Sequence, residues 1–425
     1  MTTQAVTVQT QPVVQSRQAT ASARRPQLAD LLAVPGFLQL SASNGLAHSF
    51  GQRMQGIAVA WLVLEMTGSK FWLGVINGAP AISIVLFSLV GGIIADSRDA
   101  RRVLLLTRAA LAVTAIATAL IVMTGQVQLG HLLVYVLLIV AIGAIDMPVA
   151  RTLVHEVVGS GRLLGAGAVQ SVFMNVVNIV APLGIGVLIG LAGSSAAFWV
   201  LGVGYAAAAL LVLNPGWKSE TRSPRRSNPF AEIIVGLAYV RRTPSVAALV
   251  GLGFLVPVAG VYFAMVPVIA RESLSTGPGS LGVLVASFSA GSLLGSVSLA
   301  VNGGIRRRGL RLTLLGVAFG AGMMAFAVSE SFVLSCGVSF VMGVTAGFWQ
   351  NMLGAMVQLV AAPEMRGRVV SVFTMGFQLV SVGWLAAGTA ASAFGNEATL
   401  LVAGGAFSLL SVGVYAISRE TREID

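Results

Sequence analysis

A succession of long apolar runs, separated by short polar turns, constrains this chain more than any other feature. The 425 residues are 56% hydrophobic and only 10% charged, whereas soluble domains carry roughly 25% charged residues. A helix that crosses a bilayer needs about 20 mostly apolar residues, and the runs here have that length. They lack the period-two alternation of membrane β-barrels. The sequence therefore predicts an all-α membrane protein.

We predict twelve transmembrane helices from these runs. Their approximate bounds are 37–66, 71–95, 103–124, 131–155, 165–191, 196–214, 245–270, 280–302, 310–329, 331–358, 368–393 and 398–418. If the N-terminus is cytoplasmic, all but three of the 26 basic residues lie at cytoplasmic positions, the exceptions being Arg53, Lys70 and Arg271. This distribution follows the positive-inside rule. The formal net charge of +11 therefore indicates orientation, with both termini cytoplasmic, and we expect no nucleic-acid partner.

The longest internal loop divides the spans into two sets of six. We predict a disordered cytoplasmic tail over 1–33, a six-helix half over 34–214, a cytoplasmic linker over 215–244, a second six-helix half over 245–418 and a tail over 419–425. The first tail is also rich in Arg and Ser and poor in acids, as transit peptides are. In the linker, the spacing of apolar residues from Phe230 to Arg242 predicts a helix on the membrane surface.

The two halves resemble each other weakly about 200 residues apart, at RTLVHEVVGSGRLLGAGAVQ (Arg151–Gln170) and NMLGAMVQLVAAPEMRGRVVS (Asn351–Ser371). Such pseudo-symmetry is typical of secondary transporters, whose substrate sites lie where the halves meet.

The most specific motif is GGIIADSRDARR, from Gly91 to Arg102, at the inner end of the second span. Its glycines permit close helix approach, and its two aspartates can form ion pairs with the arginines beside them. We predict a cytoplasmic gate made of Gly92, Asp96, Arg98, Asp99, Arg101, Arg102, Arg151, Arg366 and Arg368.

This motif resembles the signature between the second and third spans of the major facilitator superfamily. The segments GQRMQGIAVAWLVLEMTGSKFWLG (Gly51–Gly74), IDMPVARTLVHEVV (Ile145–Val158) and PEMRGRVVSVF (Pro363–Phe373) are similar to the branch that includes bacterial multidrug and macrolide efflux proteins and the enterobactin exporter. The resemblance covers about 35–420. It implies the major facilitator fold and export of a drug, macrolide or siderophore.

Departures from the family pattern affect the gate and the coupling. Ser97 and Ala100 stand where relatives commonly have arginine, which implies a less tightly held gate. The antiporter signature of the fifth span is partial at APLGIG (Ala181–Gly186), which leaves strict drug/proton antiport open.

Polar side chains recur at helical spacing on several spans. Since a polar group facing lipid is costly, these stripes should face other helices or water. Serines and threonines in such stripes can equally serve as interhelical hydrogen-bond donors. The predicted substrate cavity comprises Asn44, His48, Gln52, Gln55, Asn175, Asn178, Asn351, Gln358 and Gln378.

Charged residues inside the spans are fewer and more informative. Asp146 is the most deeply embedded acid, and Arg53 lies near the middle of the first span. We predict that both couple transport to protons, because coupling needs a carboxylate whose protonation depends on the side of access. A fixed ion pair of Asp146 near Arg151 is the alternative, and Arg53 could instead pair with Asp146 or hold an anionic substrate group.

Enzyme functions are excluded by residue counts. No GxxxxGK phosphate loop surrounds either lysine, no histidine has a partner at i+4, and no GxSxG motif occurs. We expect no enzyme activity, no metal and no cofactor, with the proton gradient as the energy source.

The sequence therefore predicts a monomeric secondary transporter of the bacterial inner membrane that exports an amphipathic small molecule. Two alternatives stay open. The same fold can move lysophospholipid or a metabolite, and a membrane sensor or scaffold needs no transport at all.

Overall fold

The computed structural model describes residues 33–81, 99–159, 162–213, 229–301 and 307–417. Several predicted features lie outside these ranges. They are most of the two tails, the first part of the linker, and the gate residues Gly92, Asp96 and Arg98. The backbone of Gln52 and Arg53 is described as helical, but their side chains lie outside the description.

The described residues form α-helices joined by short turns. The helices of the N-terminal part are α1 (Phe37–Asn44), α2 (Gly51–Thr67), α3 (Lys70–Gly78), α4 (Ala100–Met123), α5 (Leu129–Val158) and α6 (Leu163–Leu211). Those that follow are α7 (Pro229–Arg242), α8 (Pro244–Gly253), α9 (Val256–Val268), α10 (Pro278–Val301), α11 (Arg308–Ala327), α12 (Phe332–Val360), α13 (Arg366–Gln378), α14 (Val380–Phe394) and α15 (Asn396–Ile417). We call α1–α6 the N-terminal helices and α8–α15 the C-terminal helices.

Two one-turn π-helices interrupt this pattern. Gly45–Phe50 joins α1 to α2, and Ile269–Ser273 extends α9. A π-turn inside a longer helix changes the direction of its side chains, and such turns are frequent at functional sites.

Among the described residues, nine helical segments are long and apolar enough to cross a membrane. One of them, Gly165–Leu211, has 47 residues, about twice the length that a bilayer requires. Gly193 divides it, since its φ of 78° and ψ of 172° are not helical and suit glycine, which has no Cβ. The predicted all-α membrane class is confirmed. The number twelve stays a prediction, because residues 82–95 of the second predicted span lie outside the description.

The N-terminal and C-terminal helices pack closely against each other at glycine contacts, of which two bring pairs of glycines together. A Cβ on Gly74 of α3 would lie 2.8 Å from Cα of Gly388 on α14, and a Cβ on Gly186 of α6 would lie 3.2 Å from Cα of Gly282 on α10. Small residues let helix backbones approach in this way within a membrane. Both contacts lie near the end of the bundle where α3 and α10 begin.

The predicted surface helix of the linker corresponds to α7, Pro229–Arg242. Gly236 of α7 packs against the backbone of Arg368, and the Tyr239 hydroxyl accepts a hydrogen bond from the backbone N–H of Ala362 at 3.3 Å. The helix therefore contacts the turn between α12 and α13. Its placement at a membrane surface and the predicted domain bounds stay predictions.

Candidate functional site

Asp146 lies at the centre of a buried group of polar side chains within the N-terminal helices. Asp146 on α5 and Arg108 on α4 are both 0% exposed, and the Arg108 Nε lies 3.6 Å from Asp146 Oδ1. The Thr107 hydroxyl donates a hydrogen bond to the same carboxylate oxygen. We define the polar cluster as Ser43, Asn44, His48, Thr107, Arg108 and Asp146.

Arg108 connects the cluster to three other helices. It donates hydrogen bonds to the Ser43 hydroxyl and, at 2.5 Å, to Asn44 Oδ1, both on α1. The Ser43 hydroxyl in turn donates to the backbone carbonyl of Ala208 on α6. A buried charge is tolerated only when it is paired and hydrogen-bonded, and here α1, α4, α5 and α6 together meet that requirement.

His48 faces the second carboxylate oxygen of Asp146. Its Nε2 lies 3.3 Å from Asp146 Oδ2, and the Gly45–Phe50 π-helix carries the ring to this position. Both atoms are buried, and neither has a hydrogen-bond partner within the described ranges. Two facing polar atoms without hydrogen bonds are costly to bury. A proton between them would satisfy both, so this is a position where the cluster can take one up.

The partner of Asp146 therefore differs from the expected one. We expected Arg151 or Arg53, but Arg151 is exposed on α5 and the side chain of Arg53 lies outside the described residues. The structure places Arg108 there, a residue that we counted among the cytoplasmic basic residues. Arg108 follows the start of α4 at Ala100 by about two helical turns. Arg108 also lies inside the predicted span 103–124, so assigning it to that span rather than to the cytoplasmic side would have shown that it is embedded.

Three residues of the predicted gate stabilise helix ends. Asp99 is the N-cap of α4 and accepts hydrogen bonds from the backbone N–H groups of Arg101 at 3.0 Å and Arg102 at 3.4 Å. The Arg102 side chain also lies 3.4 Å from the Asp99 carboxylate, but it is 85% exposed. Arg101 donates to the carbonyls of Val212 at 3.1 Å and Leu213 at 2.6 Å. It thereby satisfies orphan carbonyls at the end of α6.

The remaining gate candidates on the described C-terminal helices make local contacts. Arg366 donates to the Ala361 carbonyl at 3.3 Å, and Arg368 lies 3.6 Å from the Met365 sulfur. Both contacts lie within the turn that leads into α13. A gating role for these arginines stays a prediction.

The predicted cavity residues are dispersed through the structure. Asn44 and His48 belong to the polar cluster. Gln55 on α2 is half-buried, and Asn175 and Asn178 are half-buried on α6. The exposed candidates are Asn351 and Gln358 on α12 and Gln378 on α13. Their role in substrate binding stays a prediction.

Several polar residues of the stripes bond within their own helix. Asn351 donates to the Gly347 carbonyl at 2.7 Å and, across to α10, to the Ser296 hydroxyl at 2.9 Å. Ser171, Ser289 and Ser371 each donate to the carbonyl four residues earlier. A side chain that bonds its own helix needs no polar neighbour. Such serines are therefore weak indicators of a cavity.

Within the described ranges, one ion pair joins the two sets of helices. Lys70 Nζ at the start of α3 lies 2.8 Å from Glu272 Oε2, in the π-helix that follows α9. Asn396 at the start of α15 donates to the same oxygen at 2.9 Å. These contacts lie at the same end of the bundle as the Gly74 and Gly186 contacts, so the two sets of helices meet at this end.

The helical bundle and its buried ion pair define an all-α, multi-pass membrane protein, and comparisons with known proteins assign its family. Residues 36–425 match the family described as transmembrane secretion effector. The chain belongs to this major facilitator family, and the predicted resemblance is confirmed.

Two curated relatives and one solved structure are similar to the chain. The multidrug efflux pump Tap of Mycolicibacterium fortuitum is 27% identical over 92% of this chain and 97% of its own. The enterobactin exporter EntS of Salmonella typhimurium is 23% identical over 57% of this chain and 58% of its own. A bacterial homologue of the human lysosomal transporter Spinster, in an inward-facing and unoccupied conformation, superposes with a TM-score of 0.75 at 14% identity, covering 91% of this chain and 97% of that one.

Proposed function

We propose that this protein is a secondary transporter that exports an amphipathic small molecule in exchange for protons. The family and the names of its relatives support export of small molecules. The observation that supports proton coupling is the polar cluster, in which a carboxylate oxygen and an imidazole nitrogen face each other 3.3 Å apart without hydrogen bonds among the described residues. Embedded ionisable residues of this kind mark proton and substrate pathways in membrane proteins.

Protonation of Asp146 changes the electrostatic contacts within the polar cluster. With Asp146 ionised, the attraction to Arg108 holds α4 and α5 together. With Asp146 neutral, Arg108 keeps its hydrogen bonds to Ser43 and Asn44 on α1 but loses its counter-ion. A proton would thus shift the balance of contacts among α1, α4 and α5, which is the differential interaction that a conformational change requires. Arg151 also interacts electrostatically with His48, and Tyr205 interacts with Asp146.

The test uses the purified protein in vesicles with an imposed proton gradient and ethidium as the transported dye. We expect Asp146→Asn to abolish gradient-driven flux, because Asn keeps the shape but cannot take up a proton. The matched control is Glu330→Gln, since Glu330 is exposed between α11 and α12. Undiminished gradient-driven flux in Asp146→Asn would falsify the coupling role.

The location and the partners follow from the same proposal. We place the protein in the bacterial inner membrane as a monomer with both termini cytoplasmic, without nucleic-acid partners and with no cofactor besides the proton gradient. Accessibility labelling of single cysteines introduced in the 1–33 and 419–425 segments of a Cys336→Ser chain tests the orientation.

Lysophospholipid or metabolite transport and a non-transport sensor are the alternatives. The same vesicles separate them. Movement of a labelled lysolipid without dye flux would favour the lipid, and the absence of flux for a broad panel of compounds would favour the sensor.

A further inference from the structure

The C-terminal helices line a partly open cavity whose wall contains none of the predicted site residues. Its volume is about 130 Å³. Six aromatic side chains line it, namely Phe263, Phe288, Phe319, Trp349, Phe377 and Phe407. No acid, lysine, arginine or histidine is among the described residues that line it. The polar side chains at its wall are Ser292 and Gln350.

The walls of this aromatic cavity are held in place by contacts between rings. Phe263 and Phe288 meet edge to face, with ring centroids 5.0 Å apart and an interplanar angle of 78°. Phe407 contacts both Phe319 at 5.2 Å and Trp349 at 6.0 Å. Edge-to-face arrangements are favourable aromatic geometries. Five of the six rings at the wall therefore pack against another ring of the wall.

Trp349 lines this cavity and has an indole N–H that can donate a hydrogen bond. The side chain is 6% exposed, and its indole N–H has no hydrogen-bond acceptor in the part of the chain that the structure describes. Buried indole N–H groups usually find a partner, and leaving one unpaired destabilises the protein. The missing partner is an acceptor atom, and a ligand in the cavity can supply it.

The volume limits what can enter. A cavity of about 150 Å³ lined by apolar side chains accommodates benzene, whereas pockets that enclose a whole drug-sized ligand measure about 300–1,000 Å³. The aromatic cavity is therefore about the size of one ring, and the rest of a drug-sized molecule would extend beyond it.

We propose that the aromatic cavity is a subsite for a single uncharged aromatic ring that bears a hydrogen-bond acceptor, with Trp349 donating its indole N–H to that acceptor. The link to transport rests on the proposed function, because the ring would belong to the exported molecule. A cation is a poorer occupant: the faces of the rings attract it, but it leaves the Trp349 N–H unpaired.

The test measures binding without transport. The full-length protein in lipid nanodiscs is titrated with acetophenone, ethylbenzene and tetramethylammonium by saturation-transfer NMR, and the signal of empty nanodiscs is subtracted. Acetophenone has a ring and a carbonyl acceptor, ethylbenzene has the ring alone, and tetramethylammonium is a compact cation. We expect binding to decrease in that order.

Trp349→Phe keeps an aromatic ring and removes the N–H. We expect about a tenfold loss of affinity for acetophenone, in line with one hydrogen bond of about 1.4 kcal/mol, and no change for ethylbenzene. The matched control is Trp384→Phe. The Trp384 Nε1 is also without an acceptor within the described residues, but its ring packs near Gly260 and does not line the cavity.

Ala346 and Ala259 line the cavity with small side chains, so Ala346→Leu or Ala259→Leu should fill it and abolish the binding of both ring compounds. Wild-type acetophenone affinity in a folded, filled variant overturns the proposal. Equal losses in Trp349→Phe and Trp384→Phe, or tightest binding of tetramethylammonium, also overturn it. If both filled variants fail to fold, the comparison of the two tryptophan variants decides.

The same measurements separate this proposal from the proposed function. Ring binding by a chain that moves no compound would contradict transport and leave the subsite intact. Gradient-driven ethidium flux without acetophenone binding would contradict the subsite and leave transport intact.

Discussion

The interiors of the N-terminal and C-terminal helices differ in polarity. The N-terminal helices bury an ion pair, Arg108 with Asp146, together with hydroxyl, amide and imidazole groups. The C-terminal helices surround a cavity with aromatic rings and carry no charged residue at its described wall. The two sets of helices thus bury different chemistry. The first contains charged and hydrogen-bonding groups, and the second presents aromatic rings to a cavity.

The largest effect should follow from breaking the ion pair. Arg108→Met leaves Asp146 buried without its counter-ion, which should lower the free energy of unfolding by about 3–5 kcal/mol. Thermal unfolding of the purified protein in detergent measures this change in stability. Arg311→Met is the control, because Arg311 is exposed on α11 and should change stability by less than about 0.5 kcal/mol. A similar small change for Arg108→Met would mean that the cluster is solvated rather than buried.

The next effect should come from the packing beside the aromatic cavity. A Cβ on Gly347 of α12 would lie 2.1 Å from the Ser292 carbonyl oxygen on α10. Gly347→Leu should therefore separate α10 from α12 and cost about 3 kcal/mol. We expect it to abolish acetophenone binding, measured in nanodiscs as above.

Gly337 provides the matched control on the same helix, since a Cβ there would meet no atom within 4 Å. Gly337→Leu should bind acetophenone normally. Normal binding by Gly347→Leu as well would show that the cavity does not depend on this helix contact.

A smaller loss is expected at the edge of the polar cluster. Ser43→Ala removes the hydroxyl that accepts from Arg108 and donates to the Ala208 carbonyl. A hydrogen bond to a charged group contributes about 1.5–3 kcal/mol, so we expect destabilisation near 1.5 kcal/mol in thermal unfolding. The control is Ser171→Ala, because Ser171 bonds only its own helix at Gly167. Equal losses of stability in the two variants would show that the Ser43 hydroxyl does not stabilise the polar cluster.

The smallest effect concerns the link between the two sets of helices. The Lys70 and Glu272 side chains are 22% and 38% exposed, so their attraction is screened by solvent. A double-mutant cycle with Lys70→Met and Glu272→Gln should give a coupling energy of about 0.2–1 kcal/mol in thermal unfolding. A coupling several times larger would show that this pair, rather than the glycine contacts, holds the two sets together.

Much of the fold could be predicted because a lipid bilayer requires long apolar helices, which are visible as apolar runs in the sequence. Apolar runs long enough to span a bilayer, glycines at turns and the basic residues at one side all depend on local composition. The embedded position of Asp146 was predicted for the same reason. Arg108 was missed because it was counted with the cytoplasmic arginines although it lies inside the predicted span 103–124, and its pairing with Asp146 depends on how α4 packs against α5.

The sequence by itself determined the membrane class, the family and the scarcity of embedded charge, since each follows from the order of residue types along the chain. Only the tertiary structure decided which groups meet. Arg108 and Asp146 are 38 positions apart, and the rings of the aromatic cavity come from helices across the second half of the chain. Periodicity places a side chain on a face of its helix, but the rotation and spacing of packed helices decide whether that face meets a charge, a ring or lipid.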